Sequence, residues 1–363
     1  MMRIKKEKIV KPTLSEHSEP EKKIKCVVWD LDNTLWKGVL LENNHVSLRD
    51  NIVDIIKTLD QRGILQSIAS KNEYNHAMAK IKEFGLDEFF LYPQIHWNTK
   101  VTSLSKIAES LNIGIDSIAF IDDQPFELEE VAFSLPDVLC IHAAHIDKLP
   151  DMPEMNPRFI TDDSKHRRQM YVSAFKRDKI ENEFEGPKEE FLATLGMKLT
   201  IAKAKKEDLK RAEELTVRTH QLNTTGYTYS YEELNGFLAS DSHLLFVSSL
   251  EDKYGTYGTI GLTLIECHEK IWNIKLLIMS CRVMSRGVGT TMIDFIRKEA
   301  KKRGVRLIAE LIPTDRNRAM YMTYKFSHFK EIEKTEGRVI FENDYTTVPD
   351  FLDYMTVFID IEE

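Results

Sequence analysis

The sequence predicts an α/β protein built from two units, an open parallel sheet covered by helices on both faces and then an α+β unit. Three observations predict this. Apolar strand-like runs alternate with helical periodicities from residue 24 to about 142, the pattern of a parallel sheet. Pro150, Pro153 and Pro157 then break that alternation. Beyond residue 240, strand-like runs follow one another with only short turns between them, which suggests an antiparallel or mixed sheet.

In chain order, IKCVVWD (24–30) is the first strand. Residues 50–61 carry Ile52, Val53, Ile55, Ile56 and Leu59 at helical spacing. ILQSIAS (64–70) is the next strand, and 73–85 is a helix stopped by Gly85. Phe89–Tyr92 is a short extended run. A helix at 100–111, a strand at 117–123, a helix from 127 and a strand at 138–142 complete the first unit. SKHRRQMYVSAFKRDKIENEF (164–184) is a charged helical bridge. The second unit reads helix 206–219, strands 243–249, 258–267 and 271–281, helix 290–303, strand 305–310 and helix 317–325. The expected boundaries are an N-terminal arm at 1–23, a first unit at 24–150, a helical connector at 151–190, a second unit at 191–345 and an acidic tail at 346–363. A length of 363 residues fits two domains at roughly 150 residues each.

Apolar residues make up 42% of the chain and charged residues 30%, enough for real cores beneath a mixed surface. The net charge of −8 argues against a general nucleic-acid binder. The four cysteines show no C-x-x-C spacing, so no structural zinc site is expected. No signal peptide and no apolar run of 18 residues is present, so the expected location is the cytoplasm, away from membranes.

Ligands of open parallel sheets bind at the carboxyl ends of the strands. Here those ends carry Asp30 and Asp32, then Ser70 and Asn72, then Asp122 and Asp123, with Lys100 opening a helix between them. Lys106 is the alternative lysine. Carboxylates gathered this closely call for a hard cation, and oxygen ligands suit Mg²⁺. One carboxylate can attack phosphorus while a second moves protons. A hydroxyl and an ammonium stabilise the phosphoryl oxygens.

This ordered set resembles the haloacid dehalogenase-like (HAD) phosphohydrolases, with D-x-D-x-T at Asp30–Thr34. The resemblance implies Asp30 as nucleophile and Asp32 as general acid/base. It also implies Mg²⁺ held by Asp30, the Asp32 carbonyl and Asp122, with Asp123 nearby, and phosphate held by Ser70 and Lys100. Asn72 is expected to reach the substrate. The short links between strands leave no room for a large cap, so the site is expected to admit a bulky or protein-tethered substrate.

LIMSCRVMSRGVGTT (277–291) runs from a strand through a glycine turn into a helix, a setting that favours anions. It resembles in part the pyrophosphate loop of GNAT acyltransferases. Arg286, Gly287 and Gly289 fit the end of that loop, while Met284 stands where an arginine is expected. Cys281 lies beside Arg282 and ahead of a helix, both of which favour thiolate. His220 is a candidate base for it. The segments WDLDNTLWKGVL, HWNTKVTSLSKIAE, FIDDQPFELEEV, LTVRTHQLNTTGYTYSYEEL and MSCRVMSRGVGTTM together resemble the FkbH-like proteins, which join an uncapped HAD domain to a GNAT-like domain.

That resemblance implies a glyceryl transferase and phosphatase of polyketide extender-unit biosynthesis. It would take 1,3-bisphosphoglycerate, remove phosphate and load D-glyceryl onto the phosphopantetheine thiol of an acyl carrier protein. The alternative is a small-molecule HAD phosphatase fused to an acyl-CoA-dependent N-acyltransferase.

Overall fold

The computed structural model describes residues 24–43, 45–219, 221–335, 337–345 and 347–361. The expected arm at 1–23 and the candidate base His220 lie outside the described residues.

The first unit begins with β1 (Cys26–Trp29), the two-residue strands β2 (Trp36–Lys37) and β3 (Ser47–Leu48), and α1 (Leu40–Asn43) between them. It continues through α2 (Ile52–Gln61), β4 (Leu65–Ser70), α3 (Tyr74–Glu83), β5 (Gln94–Ile95), α4 (Lys100–Leu111), β6 (Ile118–Asp122), α5 (Pro125–Ser134) and β7 (Leu139–His142). The strands form one sheet in the order β5-β4-β1-β6-β7. Its neighbouring strands are parallel throughout. Both faces of β1 are buried. Val27 and Trp29 pack on Ile52, Ile56 and Ile81, and Cys26 and Val28 pack on Leu104, Ile107 and Val131. This is why CVVW is continuously apolar rather than alternating. Phe89–Tyr92 is not a simple extended run: Asp87–Phe89 is a 3-10 turn, and the edge strand follows at Gln94–Ile95.

The connector contains α6 (Asp162–Lys165) and α7 (Arg167–Glu183). Near its start, Arg168 pairs with Asp60 and Glu88 of the first unit. Farther along, Arg177 pairs with Asp252 at 2.7 Å, with both side chains buried. One helix therefore grips both sheets.

The second sheet follows α8 (Lys188–Leu195). Its elements are β8 (Met197–Lys203), α9 (Leu209–Arg218), α10 (Tyr231–Leu238), β9 (His243–Asp252), β10 (Gly255–Cys267), β11 (Ile271–Met279), α11 (Val288–Arg303), β12 (Arg306–Leu311), α12 (Arg318–Phe326), β13 (Phe329–Thr335), β14 (Arg338–Asn343) and β15 (Met355–Asp360). The order is β13-β14-β12-β11-β10-β9-β8-β15. The sheet is mixed, with β11 parallel to β12 and β15 parallel to β8. Helix α11 covers one face through Met292, Phe295 and Ile296, and α9 and α10 cover the other through Leu209, Leu215 and Leu234. The stretch set apart as an acidic tail is corrected here: β15 extends the sheet, with Met355 against Met197 and Asp360 against Ala202. Its exposed acidic residues hide an edge strand that pairs on one side only.

Candidate functional site

The strand register assembles the first cluster. Trp29 lies opposite Ile68 of β4 and Ile121 of β6, so the next residue on each strand falls at one carboxyl edge. Asp30 and Asp122 therefore become neighbours, with Ser70 alongside. The Asp30 amide donates to the Ile121 carbonyl at 2.9 Å, which fixes the turn out of β1. Thr99 caps α4 by accepting from the Thr102 amide, and this starts the helix at Lys100.

Lys100 is buried, and its Nζ donates to Asp30 Oδ1 at 2.5 Å, Asp122 Oδ2 at 3.0 Å and the Ala69 carbonyl at 2.8 Å. Lys106 is exposed on the same helix, so geometry selects Lys100. Burial raises the Asp30 pKa, against the pull of the Lys100 ammonium and hydrogen bonds from Lys100 and Ser70. Burial and the Asp30 charge raise Asp122, and burial and Asp122 raise Asp123. Burial pulls Lys100 down, but the two carboxylates outweigh it and hold the ammonium charged.

Asp30, Asp122 and Asp123 offer carboxylate oxygens within 4.8 Å of one another. Three carboxylates against one ammonium leave two negative charges uncompensated, and every donor is oxygen. Those features fit Mg²⁺.

The Asp32 side chain has a separate set of partners. Its Oδ1 accepts from Trp36 Nε1 at 2.7 Å and the Leu40 amide at 3.1 Å, and its Oδ2 accepts from Asn72 Nδ2 at 3.1 Å. The Asn72 Oδ1 accepts from the Glu73 amide at 3.0 Å. Asn72, expected to reach the substrate, is bonded to Asp32 here. Trp36, fully buried, is a second positioning residue that sequence reasoning left unassigned.

The second cluster lies elsewhere. After β11 the chain makes a 3-10 turn at Cys281–Val283, so the strand ends two residues earlier than expected. The Cys281 thiol donates to the Asn112 carbonyl at 3.6 Å. It opens on a cavity of about 310 Å³ between the two sheets, together with Lys25, Arg218 and Arg282.

The glycine loop, expected to favour an anion, is closely packed. Arg286 is buried and pairs with Glu181 at 2.7 Å and Asp178 at 3.4 Å. A Cβ on Gly287 (φ +81°) would meet Leu352 and Tyr354, and one on Gly289 would meet Met279. The glycines are spent on packing, and the segment leading into β15 covers the loop.

No family model matches the chain, and no curated protein matches it. Among solved structures it is similar to the ribosomal-protein-S18-alanine N-acetyltransferase of Escherichia coli, at 16% identity and TM-score 0.33, over 42% of this chain and 97% of that one. It is similar to the N-terminal part of protein BF1531 of Bacteroides fragilis, which contains a phosphatase domain complexed with Mg, at 26% identity and TM-score 0.29. That likeness spans 42% of this chain and 40% of the other. A third is the PaiA N-acetyltransferase of Thermoplasma acidophilum in complex with coenzyme A, at 16% identity and TM-score 0.34, over 40% and 98% of the two chains. These likenesses are partial, and the chemistry of the site stands on its own residues. Among the described residues, no helix is long and apolar enough to cross a membrane.

Proposed function

We propose that this chain is an Mg²⁺-dependent glyceryl transferase and phosphatase. It removes the phosphate ester of 1,3-bisphosphoglycerate and loads D-glyceryl as a thioester onto the phosphopantetheine of an acyl carrier protein, for a methoxymalonyl-type polyketide extender unit. The observation that carries the phosphatase half is the buried Lys100 bridging Asp30 and Asp122 with Asp123 beside them.

In this reading Asp30 attacks phosphorus and the ester oxygen leaves, protonated by Asp32. Asp32 then takes a proton from water, which attacks the aspartyl-phosphate and restores Asp30. The Lys100 ammonium and Ser70 hydroxyl stabilise the phosphoryl oxygens. Asp30, Asp122, Asp123 and the Asp32 carbonyl would hold Mg²⁺, which would supply charge neutralisation to the phosphoryl group.

For the acyl half, Cys281 Sγ bonds to the carbonyl carbon of the acyl phosphate. The carbon–oxygen bond to phosphate breaks, and phosphate departs with the electron pair. The carrier thiolate then displaces Cys281. A conventional acyl-CoA N-acyltransferase is the weaker reading, because Leu352 and Tyr354 cover Gly287 and Arg286 is already paired.

The test combines the protein, Mg²⁺, 1,3-bisphosphoglycerate and a phosphopantetheinylated carrier, with the carrier weighed by intact mass. A glyceryl adduct is expected. Failure to load any carrier of the pathway rejects the reading. Undiminished loading by Cys281→Ser removes the thiol relay, and acetylation of an amine from acetyl-CoA favours the alternative.

A further inference from the structure

The cavity at Cys281 has a composition that nothing in the glycine loop foretells. Among the described residues, six cationic side chains line it, namely Lys25, Arg167, Arg211, Arg218, Arg282 and Arg316, and no carboxylate does. They come from both units and the connector: Lys25 precedes β1, Arg167 opens α7, Arg211 and Arg218 lie on α9, and Arg282 follows β11.

Their partners do not balance them. Glu214 is shared by three, with Arg167 on its Oε1, Arg211 on its Oε2 at 2.8 Å and Arg218 only at 4.0 Å. Asp163 pairs with Arg211 at 2.9 Å, and Asp116 with Arg316 at 3.3 Å. Lys25 Nζ donates to the Arg218 carbonyl at 2.8 Å, and Arg282 Nε to the Ser280 hydroxyl at 3.2 Å. Six positive charges thus meet three negative ones, an excess of three.

The titrations move in the matching sense. Burial, then the charge of Arg218, brings Lys25 down to about 8. Burial and the neighbouring guanidinium groups also push Arg218 and Arg282 down. Like charges held together at low dielectric are costly unless an anion joins them. Several guanidinium groups converging on one point suit a tetrahedral oxyanion in particular.

We infer that the cavity between the two sheets is a phosphoryl-binding site, in which Arg218, Arg282, Arg211 and Lys25 hold a phosphate group against the Cys281 thiol. A volume of about 310 Å³ lies at the small end of ligand sites and admits a phosphorylated fragment of a few carbons. As the donor pocket of the acyl step, it rests on the reading of Cys281 as the acyl-bearing thiol. As an anion site, it does not. The same phosphoryl chemistry comes from two sources, an acyl phosphate or the phosphate of a phosphopantetheine arm.

The experiment uses the full chain carrying Asp30→Asn, in EDTA, to silence the acidic site. Inorganic phosphate and 4′-phosphopantetheine are titrated separately by calorimetry, and alkylation of Cys281 by iodoacetamide is followed by intact mass. Phosphate is expected to bind and to slow alkylation at least fivefold. Arg218→Gln is expected to weaken binding at least tenfold. Arg282→Gln is the second variant, because it has few partners to lose on folding. Phosphopantetheine binding more tightly than phosphate assigns the pocket to the arm, and the reverse assigns it to the small donor. Phosphate affinity unchanged in a folded Arg218→Gln or Arg282→Gln, or no protection of Cys281, overturns the site. Phosphate binding without carrier loading refutes only the glyceryl reading, and normal loading by an Arg218→Gln that has lost phosphate binding refutes the cavity as the donor pocket of the acyl step.

Discussion

Lys25 and Asp30 stand at opposite ends of β1: Lys25 lines the Cys281 cavity and Asp30 belongs to the acidic cluster. Five residues of extended chain separate their Cα atoms by about 17 Å. The two candidate sites therefore occupy opposite edges of one parallel sheet. They do not share a chamber.

That separation predicts independent chemistry. Asp30→Asn is expected to cut phosphate-ester hydrolysis roughly ten-thousand-fold while leaving acylation of Cys281 intact. Intact mass of the enzyme after mixing with 1,3-bisphosphoglycerate checks it. The variant should accumulate an adduct that retains one phosphate. Loss of all acylation in Asp30→Asn would mean that the sites are coupled.

Asp32 predicts a second outcome. Three donors hold its carboxylate, and Trp36 Nε1 is the shortest at 2.7 Å. Trp36→Phe removes that donor and keeps most of the apolar volume. We expect kcat on a phosphate monoester to fall about tenfold with KM unchanged, since a misplaced general acid loses part of its ~10²–10⁴-fold contribution. The pH profile should also shift, which a purely structural role would not produce. A change confined to KM would remove Trp36 from the catalytic arrangement.

The placing of Asp30, Ser70, Lys100 and Asp122 at one edge was legible in the sequence, because Ser70 and Asp122 end strands, Asp30 follows one and Lys100 opens a helix, and a parallel sheet brings those points together. Helix α4 was legible to the residue, at 100–111. What orients Asp32 was not legible, because Asn72 reaches it across 40 residues of chain. The cavity was hidden for the same reason: Lys25 and Arg282 meet only through the packing of two sheets. One local signal existed. Arg211, Glu214 and Arg218 are spaced three and four residues apart on one helix face. Strand β15 escaped because an edge strand with an exposed face carries too few apolar residues to mark it.

Lys25 gives a pH prediction. Its pKa of about 8 lies below the ordinary 10.5, because burial and Arg218 disfavour the cation. The folded chain thus binds fewer protons than the unfolded chain between pH 8 and 10.5, and this group makes stability rise with pH across that window. An oxyanion in the cavity reverses the preference. Sulfate, whose charge is constant over this range, should therefore bind about tenfold more weakly at pH 9 than at pH 7. Cys281, Arg218, Asp116 and Arg316 also face Lys25. The measurement is made in Cys281→Ser, which takes the neighbouring thiol out of the comparison. Lys25→Met should flatten the dependence, and an equally steep profile in that variant would exonerate Lys25.

The α7 helix supplies the last prediction. Arg177 Nε and Nη2 donate to Asp252 at 2.7 and 2.8 Å, and the guanidinium lies 3.9 Å from the Tyr257 ring centroid. Both charged side chains are almost fully excluded from water. Arg177→Met leaves the Asp252 carboxylate buried with only the Tyr254 amide and the Tyr257 hydroxyl as donors. A loss of about 3–5 kcal/mol is expected, read as a lower urea midpoint. Arg168→Met, whose partners Asp60 and Glu88 keep access to water, should cost about 1 kcal/mol or less. The double variant Arg177→Met/Asp252→Leu should recover much of the loss, because it removes the orphaned charge. No recovery would mean that Arg177 acts mainly through its packing on Tyr257.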